Sequence, residues 1–316
     1  MNHVPPIVNR LEPIQTLQAC VDMATPQVSI IIPNWNGKDV LHACLNSASE
    51  LDYPNYGIVV VDNGSTDGSQ NIIRRDFPHV HLIENEQNLG YGEGQNIGIR
   101  FAMRGEAKYV FILNNDITLD RNALKKLVAA FENDASIGIA GPVLYHADRP
   151  TVVQAAGAKM SWGTGRPHYL KWRGVDGASG KTMQVDYAGM FLASTALFKR
   201  IGCFDPAFFA YWEDVDLCER AKKVGYKIVC VCTAKVWHKE AYTGRRALGL
   251  RTYYHTRNRF WIEKRYASPR ERLLFYLFFF LGAIWFDSMW FLFFDKNVEA
   301  FKALLKGASD GLIQNG

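Results

Sequence analysis

Short apolar runs that stop abruptly at polar residues recur through the first half of this chain, each followed by a stretch with helical spacing. Tyr109-Val110-Phe111-Ile112-Leu113 runs straight into Asn114-Asn115-Asp116, and Ile58-Val59-Val60-Val61 into Asp62-Asn63-Gly64-Ser65-Thr66-Asp67. A run this short, with no polar alternation, reads as a strand buried on both faces. Helices between such strands point to a mostly parallel sheet covered on both sides. In open sheets of that kind, ligands bind at the carboxyl edge of the strands. Here that edge would carry amides and carboxylates. A third acidic group, Trp212-Glu213-Asp214 with Asp216, comes much later. Such strand ends suggest a nucleotide, a hard cation and a base meeting in one cleft.

The alternation predicts strands over 28–33, 58–62, 80–84, 109–113 and 137–141. Helices are expected over 40–49, 69–76, 92–104 and 121–133. Ser65, Thr66 and Asp67 are capping candidates for the second of these helices. The rhythm breaks at Pro142. Residues 145–185 are rich in Gly, Trp, Lys and Arg, which suits hairpins and a substrate loop better than a core helix. Order returns over 185–198, then as a helix over 213–224, a strand over 226–231 and a helix over 247–264. Residues 1–26, with prolines at 5, 6, 13 and 26, read as a peripheral arm.

With 316 residues, 48% of them hydrophobic, the chain can bury a sizeable core. A net charge of +5 without a Lys/Arg run in the first two-thirds gives no reason to expect nucleic acid. None of the six cysteines forms a C-x-x-C pair, so buried free thiols are expected. No charged segment followed by an apolar one opens the chain, so no signal peptide is expected and the catalytic part is placed in the cytoplasm. Two phosphate motifs fail. Gly180-Lys181-Thr182 lacks the glycine five positions earlier, where Val175 stands. Gly90-Tyr91-Gly92-Glu93-Gly94 lacks the dinucleotide spacing.

The order of Pro33-Asn34-Trp35-Asn36, Asp62-Asn63-Gly64-Ser65-Thr66-Asp67, Asn88-Leu89-Gly90, Asn96, Asn114-Asn115-Asp116, Gly189, Trp212-Glu213-Asp214 and His238 resembles glycosyltransferase family 2. Together with Tyr253-Tyr254-His255-Thr256-Arg257-Asn258-Arg259, it is most similar to bacterial rhamnosyltransferase-type members. The resemblance implies an α/β chain of GT-A type: a mostly parallel nucleotide-binding sheet flanked by helices, with a C-terminal helical tail that associates with membrane or dimerises. It implies a nucleotide-binding part over 27–141, an acceptor-binding part over 142–265 and an aromatic helical region over 266–316.

The chemistry fits these residue types. The resemblance assigns nucleotide binding to Pro33, Asn34, Asn36, Asp62, Asn63, Asn88, Gly90, Asn96, Asn114 and Asn115. An ionised Asp62 would accept from a base N–H or a ribose hydroxyl. A turn-forming role before Gly64 is the lesser alternative for Asp62, whereas turn and capping roles suit Asn36 and Asp67 well. Asp116 would hold Mg²⁺ or Mn²⁺ against the donor's diphosphate, because hard cations take carboxylate and water oxygens. The family's Asp-x-Asp has Asn114 in its first place here. His238 reads either as a second metal ligand or as a packed core histidine beside Trp237. Asp214 is the candidate general base and Glu213 an acceptor-orienting group, with Gly189 and Trp212 at the acceptor. Both acids open a predicted helix, whose dipole lowers a carboxylate's pKa, whereas desolvation raises it. Sequence leaves that balance open.

Residues 273–294 are almost unbroken apolar and aromatic. As a helix at ~1.5 Å per residue they reach about 33 Å, enough for a bilayer. Asp287 inside the run and basic residues on both flanks argue instead for helices on the membrane surface or in a homodimer, with a span or a core helix as alternatives.

The reading is a metal-dependent inverting glycosyltransferase at the cytoplasmic face of the cell membrane. Its donor is a nucleotide-diphospho-sugar, dTDP-rhamnose or a UDP-sugar. Its acceptor is a bacterial surface glycan or a polyprenyl-linked sugar. The alternatives are a catalytically silent sugar-nucleotide-binding or assembly protein and a nucleotidyltransferase. The latter should carry a Gly-rich Arg/Lys loop where Pro33-Asn34-Trp35-Asn36-Gly37-Lys38 stands.

Overall fold

The isoleucines of the first strand, Ile30, Ile31 and Ile32, have no exposed surface, and the sheet is built outward from them. The structure, a computed structural model, describes residues 25–171, 182–239 and 248–314. The expected arm over 1–26 lies almost wholly outside these residues. In chain order the first elements are β1 (Val28–Asn34), α1 (Lys38–Ser49), β2 (Tyr56–Asp62), α2 (Ser69–Asp76), β3 (His81–Glu84), α3 (Tyr91–Arg104) and β4 (Tyr109–Ile112). They are followed by β5 (Ile117–Leu119), α4 (Ala123–Asn133), β6 (Ile137–His146), β7 (Val153–Ala155), β8 (Ala158–Ser161) and β9 (Arg166–Tyr169). Next come β10 (Thr182–Gln184), β11 (Phe191–Ser194), α5 (Thr195–Ile201), α6 (Glu213–Lys223), β12 (Lys227–His238) and α7 (Leu248–Tyr266). The long helix α8 (Pro269–Phe294) and α9 (Val298–Ile313) close the chain.

The main sheet runs β10-β12-β6-β11-β4-β1-β2-β3. Strands β4, β1, β2 and β3 are parallel, as are β6 and β12, while β11 runs against both β4 and β6. The mostly parallel α/β sheet expected from the sequence is therefore present. Side-chain alternation explains the unbroken apolar runs. Ile30, Ile32, Val60 and Phe111 pack with Leu41, Leu45 and Leu124 on one face, and Ile31, Val59, Val61 and Ile112 pack with Ile99 and Ala102 on the other. Cys44, Cys218, Cys230 and Cys232 are buried free thiols.

Two strands are longer than the sequence suggests. β6 does not stop at Gly141 but continues through Pro142 to His146. Proline offers no N–H to a ladder, and the partner strand bulges at that place: Val231 is opposite Pro142, and the register shifts before Lys235 pairs with Val143. Beyond the bulge, β12 reaches His238 and pairs antiparallel with β5, His238 opposite Ile117. This late pairing brings residue 238 beside the end of β4.

At the C-terminal end, α9 lies along α7. A Cβ at Gly307 would sit 2.7 Å from the Tyr253 carbonyl oxygen, and one at Gly311 would sit 2.8 Å from Phe260 Cβ, so glycine permits this close contact. Helix α8 starts with a Ser268–Glu271 capping box and Pro269 in its first turn. Phe275, Phe279 and Ala283 pack against Phe260, Leu304 and Ala308. The opposite side is bare: Leu281, Trp285 and Phe293 are 76%, 68% and 71% exposed. Among the described residues α8 alone is long and apolar enough to cross a membrane by length and composition.

Candidate active site

The carboxyl ends of β1, β2 and β4 open onto a cavity of about 910 Å³. Its wall includes Pro33, Asn34, Asn63, Asn88, Gly90, Asn114, Asn115 and Asp116, all expected at the nucleotide or its metal. Gly189, Trp212, Glu213, Asp214 and His238 line the same space. Sequence positions more than 200 apart thus share one cleft.

A chain of amides fixes the side of the cavity at the ends of β1, β2 and β4. Asn34 Nδ2 donates to Asp62 Oδ2 (2.8 Å) and lies near the hydroxyls of Ser65 and Ser69, while its Oδ1 accepts from Asn115 Nδ2 (2.8 Å). Asn63 donates to the Gly90 carbonyl and accepts from Asn85. Gly90 has φ +89°, and a Cβ there would lie 2.5 Å from the Phe209 carbonyl oxygen, which excludes any larger residue. Asn114 Oδ1 accepts from the Tyr91 hydroxyl at 2.8 Å.

Three expected nucleotide ligands are absent from the cavity wall. Asp62 has no exposed surface, and its carboxylate accepts from Asn34, the Ser65 backbone and Gln70. It braces the loop from below, and its neighbour Asn63 is the residue that faces the cavity. Asn36, at φ +51°, accepts from the Thr66 backbone N–H and fastens one turn to another. Asn96 clamps the backbone of Phe204 through both ends of its amide. Asp67 accepts from the backbone of Lys38 and from Ser69, which is the turn role, since the N-cap of α2 is Gly68.

Asp116 and His238 meet at the cavity floor. His238 Nε2 is 3.3 Å from Asp116 Oδ1, and that oxygen is buried without a hydrogen-bond partner. The other ring nitrogen, Nδ1, is 3.1 Å from Gln154 Oε1. An amide oxygen accepts only from a protonated Nδ1, which in the neutral ring leaves Nε2 unprotonated beside Asp116. Two acceptors this close to each other are an arrangement that a shared cation satisfies. Among the described residues no group of three or more His, Cys, Asp or Glu is placed to hold a metal ion by itself. Two protein ligands suit a hard cation that takes its remaining oxygens from waters and a diphosphate. Gln154 carries no sequence signal for this role, because β7 follows a loop and reaches the site only by pairing with β6.

Asp214 sits across the cavity, at the start of α6. Its Oδ1 accepts from the Val215 N–H, and a Cβ at residue 189 would lie 3.3 Å from its Oδ2, so Gly189 leaves that oxygen room. Burial pushes both Asp214 and Glu213 above the usual carboxylate range, and for Glu213 the neighbouring Asp214 charge adds to it. Desolvation therefore outweighs the helix dipole. Glu213 Oε2 is buried without a hydrogen-bond partner. The loop before α6 is held in sparsely populated backbone, with Phe209, Tyr211 and Trp212 at φ 63°, 66° and 74°. Asn258 of α7 holds it there: its Nδ2 lies within 2.8–2.9 Å of the carbonyl oxygens of Phe208, Ala210 and Tyr211. Arg257 donates to the carbonyls of Ala207 and Phe208. The sequence marked this stretch of α7 only by resemblance, without the role.

A mostly parallel sheet whose carboxyl edge joins an amide-lined half-site, a carboxylate–histidine pair and a desolvated acid at a helix start defines a GT-A-type transferase. Residues 29–201 match the model for glycosyl transferase family 2, and the chain belongs to that family. It is an inverting glycosyltransferase that uses a nucleotide-sugar donor, and in sequence it is rhamnosyltransferase-like. Over 217 residues it is 29% identical to the N-acetylglucosaminyl-diphospho-decaprenol L-rhamnosyltransferase of Mycobacterium tuberculosis, covering 60% of this chain and 68% of that one. It is 24% identical over 229 residues to the dTDP-rhamnosyl transferase RfbF of Shigella flexneri, covering 70% and 75%. The solved mannosyltransferase PcManGT from Pyrobaculum calidifontis, in complex with GDP-Man and Mn²⁺, shares the fold at 18% identity. Its TM-score is 0.59, with 92% of this chain and 88% of that one covered.

Proposed function

We propose that this enzyme transfers rhamnose, or a closely related hexose, from a nucleoside diphosphate to a hydroxyl of a lipid-linked glycan at the cytoplasmic face of the membrane. The observation that carries the metal-dependent donor site is the unbonded 3.3 Å approach of His238 Nε2 to Asp116 Oδ1. Rhamnose and the lipid-linked acceptor follow from the named activities of the relatives.

Asp116 and His238 would hold Mg²⁺ or Mn²⁺, with Gln154 orienting the imidazole. A cation bound there supplies charge neutralisation for the departing diphosphate. Asn63, Asn88 and the Gly90 backbone flank the nucleoside. Asp214 takes the proton of the acceptor hydroxyl as that oxygen bonds to the anomeric carbon. The bond from that carbon to the phosphate oxygen breaks on the opposite face, which inverts configuration. Glu213, held largely protonated, donates a hydrogen bond that orients the acceptor.

A panel of nucleotide sugars offered with Mg²⁺ or Mn²⁺ tests this, with released nucleoside diphosphate as the readout. Consumption of a dTDP- or UDP-linked donor that EDTA stops is the expected result. Metal-independent consumption, or release of pyrophosphate instead, would overturn it.

A further inference from the structure

The cavity is also walled by Pro167, Tyr169 and Lys171 at the end of the β8–β9 hairpin and by Leu250, Arg251 and His255 of α7. Arg251, His255 and Arg259 are spaced by four, so they share one face of that helix. The stripe begins beside the catalytic acids, because Trp212 Nε1 donates to the His255 carbonyl at 3.0 Å. It ends on α8, where the Arg259 guanidinium lies 5.1 Å from the Phe275 ring centre. Arg166, from β9, lies 5.1 Å from that of Phe278.

Arg251 and Lys171 line the cavity, and Arg166 and Arg259 lie within electrostatic reach of His255 there. Among the described residues no carboxylate comes within ion-pair distance of Arg166, Lys171 or Arg251. Two acids face the stripe. Asp287 of α8 lies within electrostatic reach of Arg166 and Arg259. Glu263 is buried with neither oxygen hydrogen-bonded, and burial pushes it up to about 8, so at neutral pH it offsets little of the Arg259 charge, which Asp287 offsets in part. The His255 ring, although open to the cavity, is drawn down to about 4 by its enclosure and by Arg259, Arg251 and Arg166. A sugar hydroxyl needs no such field. A phosphate does.

We propose that Arg251, Lys171 and Arg166 form a subsite for the phosphate groups of a prenyl-diphosphate acceptor, whose tail leaves along the exposed aromatic side of α8. This rests on the lipid-linked reading above and names the residues that would recognise the acceptor. The acceptor sugar then lies at Asp214, the phosphates at the stripe, and the isoprenoid against Leu281, Trp285 and Phe286, all exposed. The three chemistries then follow in the order in which such a molecule carries them.

The test titrates farnesyl diphosphate, farnesol and inorganic diphosphate into the full chain, read by tryptophan fluorescence. A saturating nucleoside diphosphate with Mg²⁺ fills the donor site beforehand. Arg251→Gln combined with Lys171→Gln changes two exposed side chains and should leave the fold intact. Farnesyl diphosphate should bind more tightly than either fragment, and the double variant should weaken it about tenfold or more while leaving farnesol unchanged. The proposal fails if wild type does not bind farnesyl diphosphate, if the double variant binds it equally well, or if farnesol loses as much. If inorganic diphosphate binds as tightly with the same loss, the site is one for free phosphate and the lipid assignment is overturned. Nucleoside diphosphate binding, measured alone, tests the donor reading separately.

Discussion

His238 Nε2 and Asp116 Oδ1 stand 3.3 Å apart without a hydrogen bond between them, and the far side of the imidazole is tied to Gln154. The pair is poised for a ligand that neither residue supplies. Removing the tie should therefore act on metal affinity before it acts on anything else. Gln154→Ala is expected to raise the Mn²⁺ concentration needed for half-maximal activity by about 10–100-fold, with binding of the plain nucleoside unchanged. A metal titration of activity checks this. An unchanged metal requirement would remove Gln154 from the role.

Asp214→Asn should cut transfer by about 10²–10⁴ and leave nucleotide binding nearly intact. The base works only when ionised, and burial raises both Asp214 and Glu213. The wild-type kcat/KM should accordingly rise with pH over a range above the ordinary carboxylate values. Transfer by the variant within tenfold of wild type would show that the proton goes elsewhere.

Glu263 gives a stability test with a definite sign. Its ordinary value of 4.5 is pushed up to about 8 by burial. Between those values the folded chain keeps a proton that the unfolded chain has released, so stability falls as pH rises through this window and levels off above it. Thermal midpoints of wild type and Glu263→Gln should diverge in slope between pH 5 and 8, with the variant flatter. Parallel curves would mean that Glu263 is already ionised in the fold.

Asn258→Ala should destabilise the chain by about 1–3 kcal/mol, because buried carbonyls of the 208–211 loop lose their donor. It should also lower kcat, since Asp214 follows that loop directly. Denaturant unfolding together with kinetics separates the two effects. A variant with normal stability and activity would show that the loop holds its positive-φ backbone unaided.

Much of the sheet was legible because strands buried on both faces leave a local mark, and the Asn114-Asn115-Asp116 strand end was legible for the same reason. The N-cap of helix 69–76, by contrast, is Gly68 and not one of the capping candidates Ser65, Thr66 and Asp67. What was not legible depends on distant pairing. β12 reaches His238 only because the bulge opposite Pro142 lets it continue, and only its pairing with β5 sets His238 beside Asp116. Asp62 looked like a ligand because an acid at a strand end can serve either the loop or the substrate. Three donors from its own chain occupy it here. The balance at Glu213 and Asp214 turned on burial by remote residues, which neither the helix start nor its spacing reports.

The most direct test is calorimetric titration of dTDP and UDP into the full chain, with Mn²⁺ and with EDTA, for wild type and Asp116→Ala. The account predicts that Mn²⁺ tightens binding of the preferred nucleotide by about tenfold or more in wild type and not at all in the variant. The corresponding nucleoside should bind both proteins alike. Equal affinity with Mn²⁺ and with EDTA in the wild type, or the same metal enhancement in the variant, would contradict it.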